Sequence, residues 1–579
     1  MADSLLYYNG VNAVTGDYAL SPRTLDSLSA QSLPEPSPAH VADLTKRKQQ
    51  TDGSDGKLAT HRQDLMQAEA ELQTLLRAQT TDCTRLDSVR RRISEHESYL
   101  SRNTHAGVRQ GVNPCDLSQA GWGVILPART DGTKQAAILE ALEPLLTHRS
   151  QQAGAHFRKF LGGEGFRTGD TKARFLSRHG ASPAGPADPD LVPYYLLLVG
   201  SPEEIPFEFQ YHLDIQYAVG RLFFESIAEY HNYARSVVDA ETRGSSKPQR
   251  MCLFGVQNPG DPATERTQRL LVSPLADSLQ NSQARWQFDR PLPAQTTQSA
   301  LAERLGGRET PALLFTACHG IELPTDHPLQ RRRQGALLSN QWSRSPGTPI
   351  AEDSFFAAEH LASSADVQGM IVFAFSCFSA GAPRPAEYPY PDGSIPSTAA
   401  SAPFVGALPM ALLGHPRGGA LAVIGHVERA WGYAYGVEDP RQRAHTAVFQ
   451  STIERLLLGH PVGYAMEFFN EHYAERTTAL SELVFQILNH RKYDPAVLGE
   501  LWMESADSRG YVVLGDPAAR LSFAPAESKA QAAPSEILST TAAPNSIPCP
   551  EEITADTWQQ TPLAVQRLVD ELKRKLATR

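Results

Sequence analysis

A histidine and a cysteine stand directly after two short apolar runs of the sequence. The run at residues 313–317 is followed by His319 and Gly320, and the run at residues 370–375 is followed by Cys377. A thiol is only slightly ionised near neutral pH, so an imidazole that takes its proton turns it into a nucleophile. Gly320 has no side chain, and its backbone N–H together with that of Cys377 could form an oxyanion hole for a substrate carbonyl. The pattern predicts nucleophilic catalysis by a Cys–His pair.

Each of these residues alone also has a structural explanation. A buried cysteine at a strand end is usually a small hydrophobic residue, and a lone histidine is usually a hydrogen-bonded polar one. Their joint occurrence after two strands favours chemistry. Cys318 competes with Cys377 as the nucleophile, but it belongs to the same strand end as His319 and is expected to point away from it. No P-loop, dinucleotide fingerprint, HExxH or EF-hand pattern is present, so we expect no metal and no cofactor.

Alternating apolar runs and helical stretches predict the fold that positions the pair. The apolar runs lie at residues 122–126, 194–199, 251–256, 313–317, 370–375, 420–424 and 511–514. Helical stretches separate most of them, which indicates an α/β fold with a mostly parallel sheet flanked by helices. In such a sheet the carboxyl ends of strands collect at a crevice where loops diverge. His319 and Cys377 are therefore expected to face one another over the sheet.

The rest of the chain divides by composition and periodicity. We predict an irregular N-terminal segment and linker, a helical hairpin, a first and a second, catalytic, subdomain, a disordered linker and an amphipathic helix, at residues 1–45, 46–110, 120–250, 251–525, 526–560 and 561–579. The hairpin is either a packing or dimerising module or a surface that senses a partner.

Charge and hydropathy exclude several classes of protein. Of the 579 residues, 54 are Lys or Arg and 64 are Asp or Glu, and the formal net charge of -10 argues against binding nucleic acid by bulk charge. No apolar run approaches the length of a membrane span, and no leader peptide is evident. The 6 cysteines lack CxxC spacing, which disfavours a disulfide scaffold. A cytoplasmic protein with reduced thiols is expected.

The two strand ends resemble the His-Gly and Cys motifs of the caspase-like (clan CD) cysteine peptidases, which include caspases, gingipains, separases and CHAT-domain proteases. His319 and Cys377 are 58 residues apart, close to the spacing of about 50 in caspases. The sequence around Cys377 departs from the caspase QAC[RQG]G pattern, which speaks against an Asp-specific caspase. Further stretches resemble gingipains, at residues 195–206, 214–221, 418–426 and 510–517. The resemblance covers roughly residues 120–525.

The resemblance implies a thiol peptidase in which His319 chiefly protonates the leaving amine. It also implies a selective S1 pocket, for which Asp214 occupies the place of the gingipain-like acid that binds a basic P1 side chain. Glu428, after the run at 420–424, is a second acid that could reach the pocket. Asp214 has an alternative as a turn residue that makes a local hydrogen bond. The basic run Arg331-Arg332-Arg333 could be a self-cleavage site, an occluding element or plain solvated charge.

The expected function is that of a regulated, cytoplasmic cysteine endopeptidase that cuts a protein partner. The resemblance to bacterial CHAT-type proteases implies a role in antiviral defence, with a zymogen that awaits an activating protein. Such a partner would dock on the hairpin or on the C-terminal helix. Two alternatives remain open: a catalytically inert caspase-like interaction scaffold, and a hydrolase or acyltransferase that acts on small molecules.

Overall fold

A large sheet dominates the computed structural model, which describes residues 7, 9–22, 89, 107–245, 247–384, 399–432, 446–488 and 493–523. In chain order the strands are β1 (Gly10–Asn12), β2 (Trp122–Ile125), β3 (Phe157–Phe160), β4 (Tyr195–Val199), β5 (Ala218–Leu222), β6 (Arg250–Gly255), β7 (Gln287–Asp289), β8 (Leu313–Ala317), β9 (Gly320–Glu322), β10 (Leu337–Leu338), β11 (Phe355–Phe356), β12 (Ile371–Phe375), β13 (Gly381–Ala382), β14 (Phe404–Val405), β15 (Ala422–His426) and β16 (Tyr511–Gly515). The large sheet has the order β3-β2-β4-β5-β16-β15-β12-β8-β6-β7.

The large sheet consists of two halves that run in opposite directions. β15 and β16 are antiparallel neighbours, while β16 is parallel to β5 and β15 is parallel to β12. β8 is parallel to both β12 and β6, and the strands of the first half are also parallel to one another. One hydrophobic core spans both halves. The prediction of an α/β fold with a mostly parallel sheet is confirmed.

Helices flank this sheet. In chain order they are α1 (Leu117–Ala120), α2 (Gly132–Ala141), α3 (Glu143–Ala153), α4 (Lys172–Arg178), α5 (Phe207–Asp214), α6 (Ile227–Arg243), α7 (Pro262–Thr267), α8 (Ser273–Ser282), α9 (Gln298–Arg304), α10 (Gln330–Arg333), α11 (Ala407–Leu413), α12 (Thr446–Leu457), α13 (Val462–Ala465), α14 (Glu467–Leu488) and α15 (Pro495–Arg509). Side chains cap some of these helices: Asp131 accepts two backbone N–H groups at the start of α2, and Ser226 with Glu229 forms a capping box before α6. None of the described helices is long and apolar enough to cross a bilayer.

A smaller sheet is built on the residues that follow β8. β1 runs parallel to β9, with Gly10 opposite Gly320, and β10 is antiparallel to β9 and to β11. Val11 and Ile321 are buried in a cluster of their own with Trp342 and its neighbours. The early part of the chain is therefore packed into the body of the protein through backbone pairing and an apolar cluster.

Two of the predicted segments have a different organisation in the structure. Residues 10–12, assigned to an irregular segment at 1–45, form β1, because β9 supplies a partner strand that the sequence Gly-Val-Asn does not reveal. The predicted subdomains at 120–250 and 251–525 share one sheet, since β16 from the second pairs with β5 from the first. The predicted linker at 526–560 and helix at 561–579 lie outside the described residues, as does the hairpin at 46–110 apart from Val89 and residues 107–110.

Several residues within or beside the gingipain-like stretches are buried charges that brace the first half of the sheet. Asp516, just after β16, accepts hydrogen bonds from Trp122 Nε1 at 2.9 Å and from Arg149 Nε at 2.7 Å. Arg149 also pairs with Glu241 at 2.7 Å. Arg221 in β5 is fully buried and donates to backbone carbonyl groups. Because a buried charge is costly without partners, these residues hold the fold together rather than face a substrate.

Candidate active site

Four neighbouring strands of the second half deliver the candidate residues to one edge of the sheet. Asp261 lies beyond the end of β6, His319 beyond β8, Cys377 beyond β12 and Ala430 beyond β15. β8 and β12 are parallel and in register through their last residues. His319 and Cys377, each two residues past its strand, therefore follow equivalent positions of two neighbouring strands. That their side chains face one another stays a prediction.

His319 is held by a carboxylate. Its Nε2 lies 2.8 Å from Oδ2 of Asp261, and both side chains are fully buried. The other ring nitrogen, Nδ1, is buried and has no hydrogen-bond partner among the described residues. The Asp261 contact favours the tautomer with its proton on Nε2, and it leaves Nδ1 with a lone pair that can accept a proton.

Asp261 is itself fixed at the start of α7. It accepts the backbone N–H groups of Ala263 and Thr264, the Thr264 hydroxyl at 2.6 Å, and the hydroxyl of Tyr18. Burial alone would raise the pKa of Asp261, but His319 and these donors outweigh it and hold that pKa below its ordinary value. The carboxylate is therefore a rigid, ionised partner for His319.

The side chain of Cys377 belongs to a small buried cluster, with Phe378 and Ala430, that is separate from the main core. Its Sγ accepts the backbone N–H of Ala430 at 3.2 Å, and the side chain is fully buried. Burial raises the pKa of Cys377 well above that of a free thiol, with the carboxylate of Glu322 adding to the effect and the charge of Arg429 opposing it. The thiol is therefore protonated in this state, and reaction needs a base.

Two backbone N–H groups converge on one carbonyl oxygen beside this thiol. The carbonyl oxygen of Asn9 accepts the N–H of Gly320 at 2.8 Å and the N–H of Cys377 at 3.2 Å. Only glycine fits at 320, because a Cβ there would lie 1.9 Å from the carbonyl oxygen of Cys377. Two converging donors are what stabilises negative charge on a carbonyl oxygen. The structure thus brings together the two donors predicted from the sequence.

The carbonyl belongs to a stretch of this chain that we call the cleft segment, Tyr7 and residues 9–12. The N–H of Asn9 donates to the carbonyl oxygen of Ala430 at 3.1 Å, and the N–H of Gly432 donates to the carbonyl oxygen of Tyr7 at 2.9 Å. Beyond Asn9 the segment continues as β1 alongside β9. The cleft segment therefore binds through backbone hydrogen bonds on both sides of the thiol, in the way that a peptide is added to a sheet edge.

Backbone strain is concentrated directly after Cys377. Phe378 and Glu428 have positive φ angles of 57° and 81°. The N–H of Phe378 donates to the carbonyl oxygen of Glu428, so the two strained residues hold one another. Each such conformation costs on the order of 1–3 kcal/mol in a residue with a side chain, and such strain clusters at functional sites. Here both strained residues lie close to Cys377: Phe378 follows it in the chain, and Glu428 is two residues before Ala430, whose N–H binds the thiol.

The two predicted S1 acids lie in different surroundings. Asp214 is at the end of α5, where it accepts the backbone N–H of Val219 at 3.2 Å, and burial raises its pKa well above the ordinary value. This is the local hydrogen bond of the alternative interpretation. Glu428 lies on the loop that carries Ala430, but its Oε1 pairs with Arg429 at 3.2 Å. Burial raises the pKa of Glu428 to about 8. The described contacts link neither carboxylate to the side chain of Asn9.

Cys318 and the basic run also have clear positions. Cys318 lies in the main hydrophobic core, and burial raises its pKa to about 12. Arg331 and Arg333 lie in α10 and pair with Glu203 at 3.0 Å and with Glu352 at 2.6 Å respectively. The burial of Cys318 in the core agrees with an inert thiol. The ion pairs of Arg331 and Arg333 agree with the interpretation of the basic run as surface charge.

Asp261 and the cleft segment are functional candidates that the sequence analysis missed. An acid a few residues beyond the apolar run at 251–256 was a usable signal, because that run neighbours β8 in a parallel sheet. The cleft segment gave no signal, since nothing in Asn-Gly-Val-Asn indicates which distant residues it pairs with. Within the described residues, no cluster of His, Cys, Asp and Glu could hold a metal ion.

No family model matches the chain, and no curated protein matches it. Similar solved structures include one titled only as a protease, with 14% identity and a TM-score of 0.41 over 70% of this chain and 80% of that chain. The complex of Porphyromonas gingivalis RgpB pro- and mature domains gives 14% identity and a TM-score of 0.40 over the same shares. The Saccharomyces cerevisiae separase–securin complex gives 13% identity and a TM-score of 0.28 over 56% of this chain and 16% of that chain.

Proposed function

We propose that this chain is a caspase-like cysteine endopeptidase that cleaves a protein through His319 and Cys377. The observation that carries the proposal is the carbonyl oxygen of Asn9, which accepts the N–H groups of both Gly320 and Cys377. A peptide carbonyl in that position, with the thiol of Cys377 beside it, is the ground-state arrangement from which thiolate attack proceeds.

Side chains and backbone groups of the site have separate roles in the proposed reaction. The proton of the Cys377 thiol passes to Nδ1 of His319 while sulfur attacks the carbonyl carbon of the substrate. Gly320 and Cys377 N–H groups stabilise the oxyanion, and Asp261 stabilises the imidazolium that has formed. His319 then gives the proton to the leaving amine, and water hydrolyses the thioester. The backbone of Ala430 and Gly432 holds the substrate chain extended.

A non-catalytic scaffold is the second candidate, and one observation favours it. His319 and Cys377 are both fully buried, and burial raises the pKa of the thiol well above its ordinary value. A protein interaction fold with an inert thiol would have these properties. The strained turn after Cys377 and the converging N–H groups weigh against it, because an inert core needs neither.

A basic P1 preference, a zymogen state, a cytoplasmic location and a role in antiviral defence stay predictions, as does an activating protein partner. The contacts of Asp214 and Glu428 lend the basic P1 preference no support, since each acid already has a partner at its own position.

Active-site labelling tests the proposal. The intact mass of the full chain is measured after exposure to peptidyl acyloxymethyl ketones with Asn, Arg, Lys, Leu or Asp at P1. Because the cleft segment covers the thiol, Asn9→Pro, which cannot donate its N–H to Ala430, is labelled in parallel. We expect one adduct that is lost in Cys377→Ala, strongly reduced in His319→Ala and retained in the matched control Cys318→Ala. Normal melting with no adduct in any preparation would favour the scaffold.

A further inference from the structure

We propose that the peptide bond between Asn9 and Gly10 is the first substrate of this site, so that Cys377 cuts its own chain after an asparagine. The inference rests on the proposed function and adds to it a cleavage site and a class of P1 residue. It concerns the cleft segment, Tyr7 and residues 9–12, whose hydrogen bonds are those of a bound substrate.

The direction and register of the cleft segment identify the bond. Of its carbonyl groups, that of Asn9 receives both converging N–H groups, at 2.8 Å from Gly320 and 3.2 Å from Cys377. The next residue, Gly10, lies against the thiol: a Cβ built on it would be 2.9 Å from Sγ of Cys377. The thiol therefore lies beside the bond that joins these two residues, with the carbonyl already polarised and the leaving nitrogen belonging to Gly10.

The side chain of Asn9 indicates what the pocket accepts. Asn9 is 1% exposed, its Oδ1 lies 3.5 Å from the hydroxyl of Thr267, and its Nδ2 has no hydrogen-bond partner among the described residues. Among the residues that the structure describes, no carboxylate hydrogen-bonds to either polar atom of this side chain. A buried neutral carboxamide with an unpaired Nδ2 costs the free energy of a lost hydrogen bond, whereas the unpaired charge of a buried Lys or Arg would cost far more. The surroundings of Asn9 thus favour a small neutral P1 side chain such as asparagine over a basic one.

The two sides of the bond are held very differently. After Asn9, the chain is fixed by β1, by the contact of Tyr18 with Asp261, and by an ion pair of Asp17 with Arg344 at 2.6 Å. Before Gly10, the contacts include the backbone hydrogen bonds of Tyr7 and Asn9, the Oδ1 of Asn9 near Thr267, and the Tyr7 ring against the Arg266 guanidinium and the Tyr18 ring. A cut would therefore leave β1 in place and free the part of the chain before Gly10 to dissociate, which opens the cleft to other substrates.

The proposed cleavage needs no reactant other than water. The Cys377 thiol loses its proton to His319 and its sulfur bonds to the carbonyl carbon of Asn9. The carbon–nitrogen bond to Gly10 breaks, and Gly10 receives the proton as a new amino terminus. Water then hydrolyses the thioester, which gives a carboxylate on Asn9 and restores the thiol.

Mass spectrometry and sequencing of the amino terminus test the proposal on the full chain. We expect wild type to acquire Gly10 as its first residue in a reaction whose rate constant is unchanged over a tenfold range of protein concentration, because the bond is buried in its own site. Cys377→Ala should keep the bond intact. Asn9→Leu should slow the cut at least tenfold, and the exposed Asn281→Asp should not slow it. The melting temperature of every variant is measured, and Cys377→Ser is tested beside Cys377→Ala, so that a misfolded variant is not mistaken for an inactive one.

Three outcomes would overturn the inference, and one of them also removes the proposed function. If wild type keeps the bond while it cleaves an added Tyr-Tyr-Asn coumarylamide through Cys377, the site works but this bond is not its substrate. If Cys377→Ala is cut as fast as wild type, the cut comes from spontaneous attack of the Asn9 side-chain nitrogen on its own backbone carbonyl carbon, which expels the nitrogen of Gly10 without the thiol. If no preparation, Asn9→Pro included, cuts the chain or the peptide or takes a label, the peptidase proposal fails as well.

Discussion

Replacement of Asp261 by asparagine tests how His319 is made into a base. The two carboxylate oxygens of Asp261 accept hydrogen bonds from Nε2 of His319 at 2.8 Å, from the Thr264 hydroxyl at 2.6 Å, from the Tyr18 hydroxyl and from two backbone N–H groups. The amide introduced by Asp261→Asn would keep the shape of the side chain and an oxygen for the helix cap, but it would lose the negative charge that stabilises the imidazolium. A hydrogen bond to a charged group contributes about 1.5–3 kcal/mol, so kcat/KM should fall roughly 10- to 150-fold.

The kinetic signature separates this role from a general loss of structure. Because Asp261 contacts His319 and not the substrate, we expect kcat to carry the loss and KM to change little. Peptide hydrolysis and thermal melting are measured on Asp261→Asn and on Asp131→Asn, a matched change at the exposed start of α2. Asp131→Asn should leave kcat unaffected. A kcat/KM of Asp261→Asn within twofold of wild type, at an unchanged melting temperature, would refute the reasoning.

Three further predictions each concern one residue. Gly320→Ala would place a methyl group 1.9 Å from the carbonyl oxygen of Cys377, so we expect kcat to fall about 10²–10³-fold and the melting temperature to drop. Gly163→Ala, where the added methyl group meets open space, should change neither. Gly10→Ala would place its methyl group 2.9 Å from Sγ of Cys377, which should push the cleft segment out and slow self-cleavage at least tenfold by mass spectrometry. Asp507 is buried near the end of α15, where it accepts the backbone N–H of Trp431 at 2.8 Å, and burial raises its pKa from 3.8 to about 8. The folded state therefore binds the extra proton, so the contribution of this carboxyl to the unfolding free energy should fall with pH across that window. Asp507→Asn should remove up to about 1.4 kcal/mol per pH unit of that slope in urea titrations.

The strands around the site could be predicted because they are buried on both faces. Leu313–Ala317 is the predicted run unchanged, and the run at 370–375 differs from Ile371–Phe375 by one residue. Such strands must be apolar throughout, so their sequences stand out. The outer strand Phe157–Phe160 escaped prediction because it is a short edge strand with two exposed basic residues in its middle. Its pairing with β2 is a tertiary effect that the local sequence does not encode.

The same distinction applies to the site. His319, Cys377 and Gly320 directly follow predicted strands, so chain order was enough to bring them together. Asp261 lies several residues beyond its strand, where the loop could run in many directions. Asn9 comes from the other end of the sequence and is held almost entirely by backbone hydrogen bonds, which any residue type except proline can make. Side-chain patterns carry no information about contacts of that kind.

Cleavage of an unrelated, unfolded protein tests the central claim most directly. Reduced and carboxymethylated casein is incubated with wild type, Asn9→Pro, Cys377→Ala and Cys318→Ala, and all new amino and carboxyl termini are identified by mass spectrometry. The account predicts internal peptide-bond cleavage by wild type, Asn9→Pro and Cys318→Ala, enriched after asparagine, and none by Cys377→Ala. Termini that appear equally with Cys377→Ala, or no new termini from well-folded wild type and Asn9→Pro, would contradict a cysteine endopeptidase.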